Sequence, residues 1–206
     1  EKLHLAPGDM GEFVTSVHSL FLPFAVEKEL DFQARVEDKH LFMYFDHDKL
    51  QKIINNLLSN AFKFTPKGGS VTLALSKEIS QGRSYVNITV TDTGIGIPEE
   101  QLSHIFERFY QVQNWDENKV GSGIGLHLVK EYIQIHEGKI EVTSKTGEGT
   151  AFSVCLPMDL NPVEEETARE EILAEQELED VVGVSVGNSG KKRILIVEDN
   201  DDVRSF

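Results

Sequence analysis

A chain of 206 residues can bury a substantial core and still leave material for a connector. Its 39% hydrophobic and 27% charged residues are ordinary for a globular domain. No apolar run approaches the roughly eighteen residues that cross a bilayer, and no signal peptide is read at its start. A net charge of −15 excludes direct nucleic-acid binding as an expected function.

The charge is unevenly placed. Residues 159–180 hold ten acidic groups against one basic one, Arg169, so this stretch carries −9 of the total −15. The acidity therefore describes a connector more than a binding site. The single cysteine, Cys155, cannot form an internal disulfide; in the apolar alternating run AFSVCL it reads as a buried core thiol in a reducing compartment.

In chain order, Asp9 can cap a helix running to about Leu30, with Phe13, Val17, Leu20 and Phe24 spaced to share one face. Pro23 predicts a bend or break in it. Strand candidates follow at Asp31–Glu37 and Leu41–Phe45. Asp46 or His47 then opens a helix through about Phe62, whose apolar stripe is Leu50, Ile53, Ile54, Leu57, Leu58 and Ala61. After a turn at Pro66–Gly69 come alternating strands, Ser70–Lys77 and Ser84–Asp92, joined by the Gln81-Gly82 turn. Pro98 suits the first position of a short helix over Glu99–Glu107. Polar residues Gln111–Lys119 lead into a helix at about Gly123–His136, ended by Gly138. Strands near Lys139–Ser144 and Thr150–Leu156 close the domain around the turn at residues 146–149.

This order implies a two-layer α/β (α+β) sandwich and not a regular βαβ repeat. Residues 159–190 read as an acidic interdomain linker: a possible charged helix at Glu164–Asp180, then a flexible VVGVSVGNSG. In the final KKRILIVEDNDDVRSF, a buried-strand pattern at Ile194–Val197 is followed by an acidic cluster. A second domain is expected to begin there, at 191–206, with too few residues to fold.

Four motifs carry the chemistry. The first is the helix stretch from Asn56 through Asn60 and Lys63 to Phe64. DTGIGIP follows at 92–98, then GSGIGLHLVK at 121–130 and GEGT at 147–150. None of the glycine stretches is the GxGxxG of a dinucleotide fold or the GxxxxGK[ST] of a P-loop. Two asparagines interrupting an apolar helix are costly without partners. Asn56 and Asn60 lie one turn apart on one face, and Lys63, three residues on, can face phosphates. Asp92 ends a strand; alone in a turn it would be an Asx-turn cap, whereas beside Gly94 and Gly96 its carboxylate can accept a hydrogen bond from an exocyclic amine. Ile95, Ile97 and Phe64 offer apolar or stacking walls. Gly121, Gly123 and Gly125 lead, with Ile124 and Leu126, into a helix N-terminus suited to phosphate.

Together these motifs resemble the ATP-binding catalytic domain of sensor histidine kinases, the Bergerat-type fold of a mixed, mostly antiparallel sheet covered by helices on one face. The resemblance covers residues 1–158. It implies Mg²⁺·ATP as ligand, with Asn60 holding the metal and Asn56 supporting it, Asp92 selecting adenine, and Lys63 and Arg108 among the catalytic groups. The segment from about Glu99 to Val120 resembles the family's mobile lid, with FERFYQ (106–111) as its phenylalanine motif; Arg108 contacts the γ-phosphate or an acceptor domain, or lies at the surface. Gly147 and Gly149 read as structural, and Thr150 enters the last strand beside the site. The family's phosphoaccepting histidine lies on a separate helical dimerisation domain, and none of the seven histidines here has that context. His136 reads as a helix-end residue that caps or packs.

The same fold serves gyrase, mismatch-repair ATPases and a heat-shock chaperone. There a glutamate one turn before the metal-binding asparagine activates water, and this chain has Asn56 at that position. A neutral amide is no general base, so transfer to an external histidine is favoured over a self-contained ATPase. A degenerate ATP-binding scaffold is the other alternative. ILIVEDND resembles the opening of a receiver domain, with Glu198 and Asp199 as its acidic pair, which implies a hybrid kinase. The resemblance further implies a homodimeric parent and a cytoplasmic position in an inner-membrane sensor, with the parent's own dimerisation and receiver domains as partners.

Overall fold

The computed structural model describes residues 2–38, 40–111 and 122–161, all within one compact unit, Glu1–Val163. Of the linker expected at 159–190, residues 162–190 lie outside the described residues, as do the expected helix at Glu164–Asp180, the receiver-like end, Gly121 and most of the polar lid stretch.

Among the described residues, seven strands and three α-helices run in the order β1 (Ala6–Asp9), α1 (Met10–Lys28), β2 (Asp31–Val36), β3 (Phe42–Phe45), α2 (His47–Phe64), β4 (Ser70–Ser80), β5 (Arg83–Asp92), α3 (Gly125–Ile135), β6 (Lys139–Lys145) and β7 (Gly149–Pro157). The main sheet has the order β2-β4-β5-β7-β6. Only β2 and β4 pair in parallel, because β3 and α2 intervene as a crossover; the other three pairings are antiparallel. At the Gln81-Gly82 turn both residues have positive φ (52° and 82°), the backbone twist that a two-residue hairpin needs. A separate pair, β1 with β3, was not foreseen, since Pro7 and Gly8 hide a strand signal.

Alternation sorts the sheet into two faces. Val71, Leu73 and Leu75 of β4, Val86, Ile88 and Val90 of β5, and Phe152, Val154 and Leu156 of β7 are buried beneath the helices. Leu50, Ile53, Ile54, Leu57 and Leu58 of α2 meet them at 0% exposure, each contributing roughly 1.5–3 kcal/mol of burial. The intervening Ala151, Ser153 and Cys155 point to the other, half-buried face. Cys155 is therefore not a core thiol: in AFSVCL the large residues take the inner positions and the small ones the outer. Burial first, then the carboxylates of Glu78 and Glu141, push its thiol up and leave it a poor nucleophile.

Asp9 caps α1 as expected, its Oδ1 accepting from Gly11 N–H at 2.8 Å and from Leu41 N–H at 3.3 Å. The inner face of α1, however, is Met10, Val14, Val17 and Ala25, flanked by Phe13 and Phe21, while Leu20 and Phe24 stand 62% and 54% exposed. Its first half has a polar face, Glu12, Thr15, Ser16 and Ser19, all exposed, but Leu20–Val26 is an unbroken apolar run in which spacing alone does not choose the face. Packing of Phe21 and Phe32 on Phe62, with centroids 5.7 and 5.0 Å apart, decides it. The helix also continues through Pro23, which is exposed, so water can reach the carbonyl whose donor proline lacks.

Two further expectations are corrected. Residues 99–107 form only one 3₁₀ turn, Glu99–Gln101, followed by turns, with Pro98 just ahead of it and extended (ψ 140°). At the end of α3 the left-handed residue is Glu137 (φ 55°), and Gly138 N–H reaches back to Ile133 O at 2.9 Å.

Candidate nucleotide site

The site forms where α2, the β5 end, the start of α3 and the β6–β7 turn converge. Asp92 is 7% exposed at the last position of β5, paired in register with Thr150. Its Oδ1 accepts from Gly94 N–H at 2.8 Å, an Asx turn, and Thr150 N–H also donates to the carboxylate. Burial pushes the carboxyl up; the two N–H groups offset this only in part. A carboxylate accepts up to about four hydrogen bonds, so the Asx turn orients the group and leaves it acceptor capacity.

Backbone contacts gather the motifs. Ile95 N–H donates to Phe64 O at 3.3 Å, tying DTGIGIP to the end of the asparagine helix, and Gly147 N–H donates to Ile95 O at 2.8 Å, tying it to the GEGT turn. Gly96 is where this needs glycine: φ is 69°, and a Cβ would lie 2.1 Å from Lys145 O. Ile97 is buried, while Ile95 is 37% exposed. Ser144, which sequence reasoning missed, is a hub: its Oγ accepts from Ile97 N–H (2.7 Å), donates to Gly149 O (2.8 Å) and meets Thr150 Oγ1 (2.9 Å). A small hydroxyl on the half-buried side of a strand, just before a glycine turn, was the available signal.

On α2, Asn56 donates from Nδ2 to Lys52 O at 2.8 Å, which aims its Oδ1 at α3, so a Cβ on Gly125 would sit 2.5 Å from that oxygen. The asparagine helix and the third glycine motif are thus in contact. Asn60 is half-buried one turn later, and the Lys63 ammonium lies 5.1 Å from the Phe64 ring centre. Gly123 O accepts from Phe109 N–H at 2.9 Å, Ile124 O accepts from Leu128 N–H at 3.0 Å in the first turn of α3, and Leu126 is half-buried there. Arg108 lies exposed over the Phe109 ring, 4.9 Å from its centre, and no described contact joins it to Asp92 or Asn60. Gly121 lies outside the described residues.

Among the described residues no three His, Cys, Asp or Glu side chains cluster to hold a metal. The donor set near α2 is neutral amide, which suits a hard cation that keeps most of its shell from phosphates and water.

This architecture, a glycine-lined cradle around a buried strand-end aspartate beneath an asparagine helix, belongs to an ATPase class. Residues 45–160 match the family described as histidine kinase-, DNA gyrase B-, and HSP90-like ATPases, and the chain belongs to that family. It is 35% identical to sensor histidine kinase TmoS of Ectopseudomonas mendocina over 96% of this chain and 22% of that protein. It is 30% identical to histidine kinase P4 of Formosa agariphila over 99% of this chain and 16% of that one. The chain therefore spans about a fifth of these curated relatives. In structure it is similar to full-length ShkA in complex with AMPPNP, with a TM-score of 0.68 and 30% identity over 79% of this chain and 33% of that one.

Proposed function

We propose that this domain binds Mg²⁺·ATP and presents the γ-phosphate to a histidine on another domain of a hybrid sensor kinase. The observation that carries it is the cradle at Asp92: a buried carboxylate, oriented by two N–H groups, with Gly94 close against it and Ile95 tying DTGIGIP to the end of α2 and to the β6–β7 turn. Adenine offers an amine to that carboxylate, whereas guanine places a carbonyl there and is rejected. Asn60 would hold Mg²⁺, with Asn56 beside it. A metal held there would supply positive charge that neutralises the phosphates. Lys63, Arg108 and the glycines Gly121 and Gly123 ahead of α3 would contact the phosphate chain. Ile95, Phe64, Ile124, Leu126 and Thr150 wall the site.

Asn56, where a general-base glutamate would activate water, favours transfer over hydrolysis. The family membership and the kinase names of the relatives support the same reading. The acidic linker and the ILIVEDND segment fit a kinase-then-receiver order in a dimeric parent that faces the cytoplasm. No helix among the described residues is long and apolar enough to cross a membrane.

Calorimetric titration with a non-hydrolysable ATP analogue, with and without Mg²⁺, tests this. Asp92→Asn places an amide donor against the adenine amine and should weaken binding about 10–100-fold with little change in Tm. Asn60→Ala should abolish the Mg²⁺-dependent part. The isolated chain should bind nucleotide without labelling itself from ATP, and stoichiometric self-labelling here would refute the assignment of an external acceptor.

A further inference from the structure

His136 is buried completely, yet no motif above uses it. Its Nδ1 lies 2.6 Å from Tyr132 O, and a carbonyl only accepts, so Nδ1 carries the proton. Its Nε2 lies 3.4 Å from the backbone nitrogen of Asp46, and an N–H only donates, so Nε2 presents its lone pair. Both bonds require the neutral Nδ1–H imidazole.

These bonds join the C-terminal end of α3 to the N-cap of α2. The helices also touch at Asn56 and Gly125. Ten residues separate Asp46 from Asn56 and eleven separate Gly125 from His136, so each span is about 15 Å at 1.5 Å per residue. Two contacts that far apart fix both the slide and the tilt of one helix against the other.

We propose that His136 is a positioning residue: its neutral imidazole latches α3 to α2, holding their nucleotide-facing ends in register, and its protonation releases them. This rests on the nucleotide site proposed above. The charged groups facing the ring are Asp46 and Lys49 of α2, themselves paired at 2.8 Å. Tyr132 lies a turn back on α3, Lys52 of α2 sits over the Tyr132 ring, and the His4 backbone N–H binds Asp46 Oδ2. Glu137 and Lys139, next along the chain, are exposed. Burial holds the imidazole below the usual histidine range, and the Tyr132 carbonyl and Asp46 only partly oppose this. The latch is therefore closed at neutral pH and opens as pH falls, when a proton on Nε2 meets the Asp46 N–H head-on.

The test compares wild type with His136→Gln, whose amide supplies a donor and an acceptor but does not titrate. Affinity for the ATP analogue is measured from pH 8 to pH 5 and expressed as a ratio of the two proteins, which cancels titration of the nucleotide. The ratio should fall about fivefold toward pH 5; a constant ratio overturns the proposal. Without nucleotide, amide exchange at Asp46–Leu50 should accelerate in acid in wild type relative to the variant, and equal exchange in both also overturns it. Should neither protein bind nucleotide at pH 8, the nucleotide reading fails, while exchange still decides the latch. Ring ¹⁵N shifts of wild type alone give a third check: an Nε2–H tautomer at pH 8 refutes it.

Discussion

The two ends of the α2–α3 pair solve opposite problems. At the Asp46 end, every polar group is turned on another protein group: the carboxylate takes Lys49 Nζ at 2.8 Å, Lys49 N–H at 3.0 Å and His4 N–H at 2.9 Å, and His136 closes the gap. At the Asn56 end, Gly125 seats against the Asn56 amide, where a Cβ would lie 2.5 Å from Oδ1. The first end is built for stability. The second is the side on which the nucleotide is proposed to bind. The difference teaches where substitutions should read out as unfolding and where as lost affinity.

The largest effect is expected where the two demands meet. Gly96→Ala forces a Cβ to 2.1 Å from the Lys145 carbonyl at a φ of 69°, both against backbone. Urea unfolding should show a loss above about 3 kcal/mol. A smaller loss would mean that the β6–β7 turn is not held against DTGIGIP.

Asp46→Ala follows. It removes the α2 cap and leaves Lys49, whose side chain is 11% exposed, without its carboxylate, for a loss of about 3 kcal/mol. Burial would raise the Asp46 carboxyl, but Lys49 and the His4 and Lys49 N–H groups outweigh it and hold it at about 2, against an ordinary 3.8. A carboxyl lowered on folding stabilises above its unfolded value. This contribution, ~2 kcal/mol, is therefore complete above pH 3.8 and lost as pH falls toward 2. Denaturation midpoints across that range should slope in wild type and flatten in the variant.

Gly125→Ala sharpens the contrast from the other side. Its Cβ meets only the Asn56 amide, which can swing away, so stability should change by less than about 1 kcal/mol while nucleotide affinity falls severalfold. Equal losses in both would erase the distinction between the ends. The smallest effect belongs to α1: Phe24→Ser at an exposed position should stay within about 0.5 kcal/mol, whereas Met10→Ala, at 0% exposure, should cost about 2–5 kcal/mol, both read by urea unfolding.

The helix α2 was legible in the sequence because its polar and apolar residues segregate cleanly; the stripe from Leu50 to Ala61 is buried as spaced. The strand alternations of β4, β5 and β7 were equally plain, and the four motifs pointed to nucleotide chemistry before any contact was known. The face of α1 was not legible beyond Ser19, because the unbroken apolar run Leu20–Val26 carries no phase, and the packing of Phe21 on Phe62 selects one there. Ser144 and His136 were missed as organisers for a related reason. Each binds one residue far along the chain, Ser144 the Ile97 N–H 47 residues away and His136 the Asp46 N–H 90 residues away. Local periodicity and motif spacing therefore determined which elements form and which ligand class they suit, since both depend on neighbours within a few residues. Only the tertiary structure decided how α3 seats on α2, because that choice is made by pairings whose partners the chain order keeps apart.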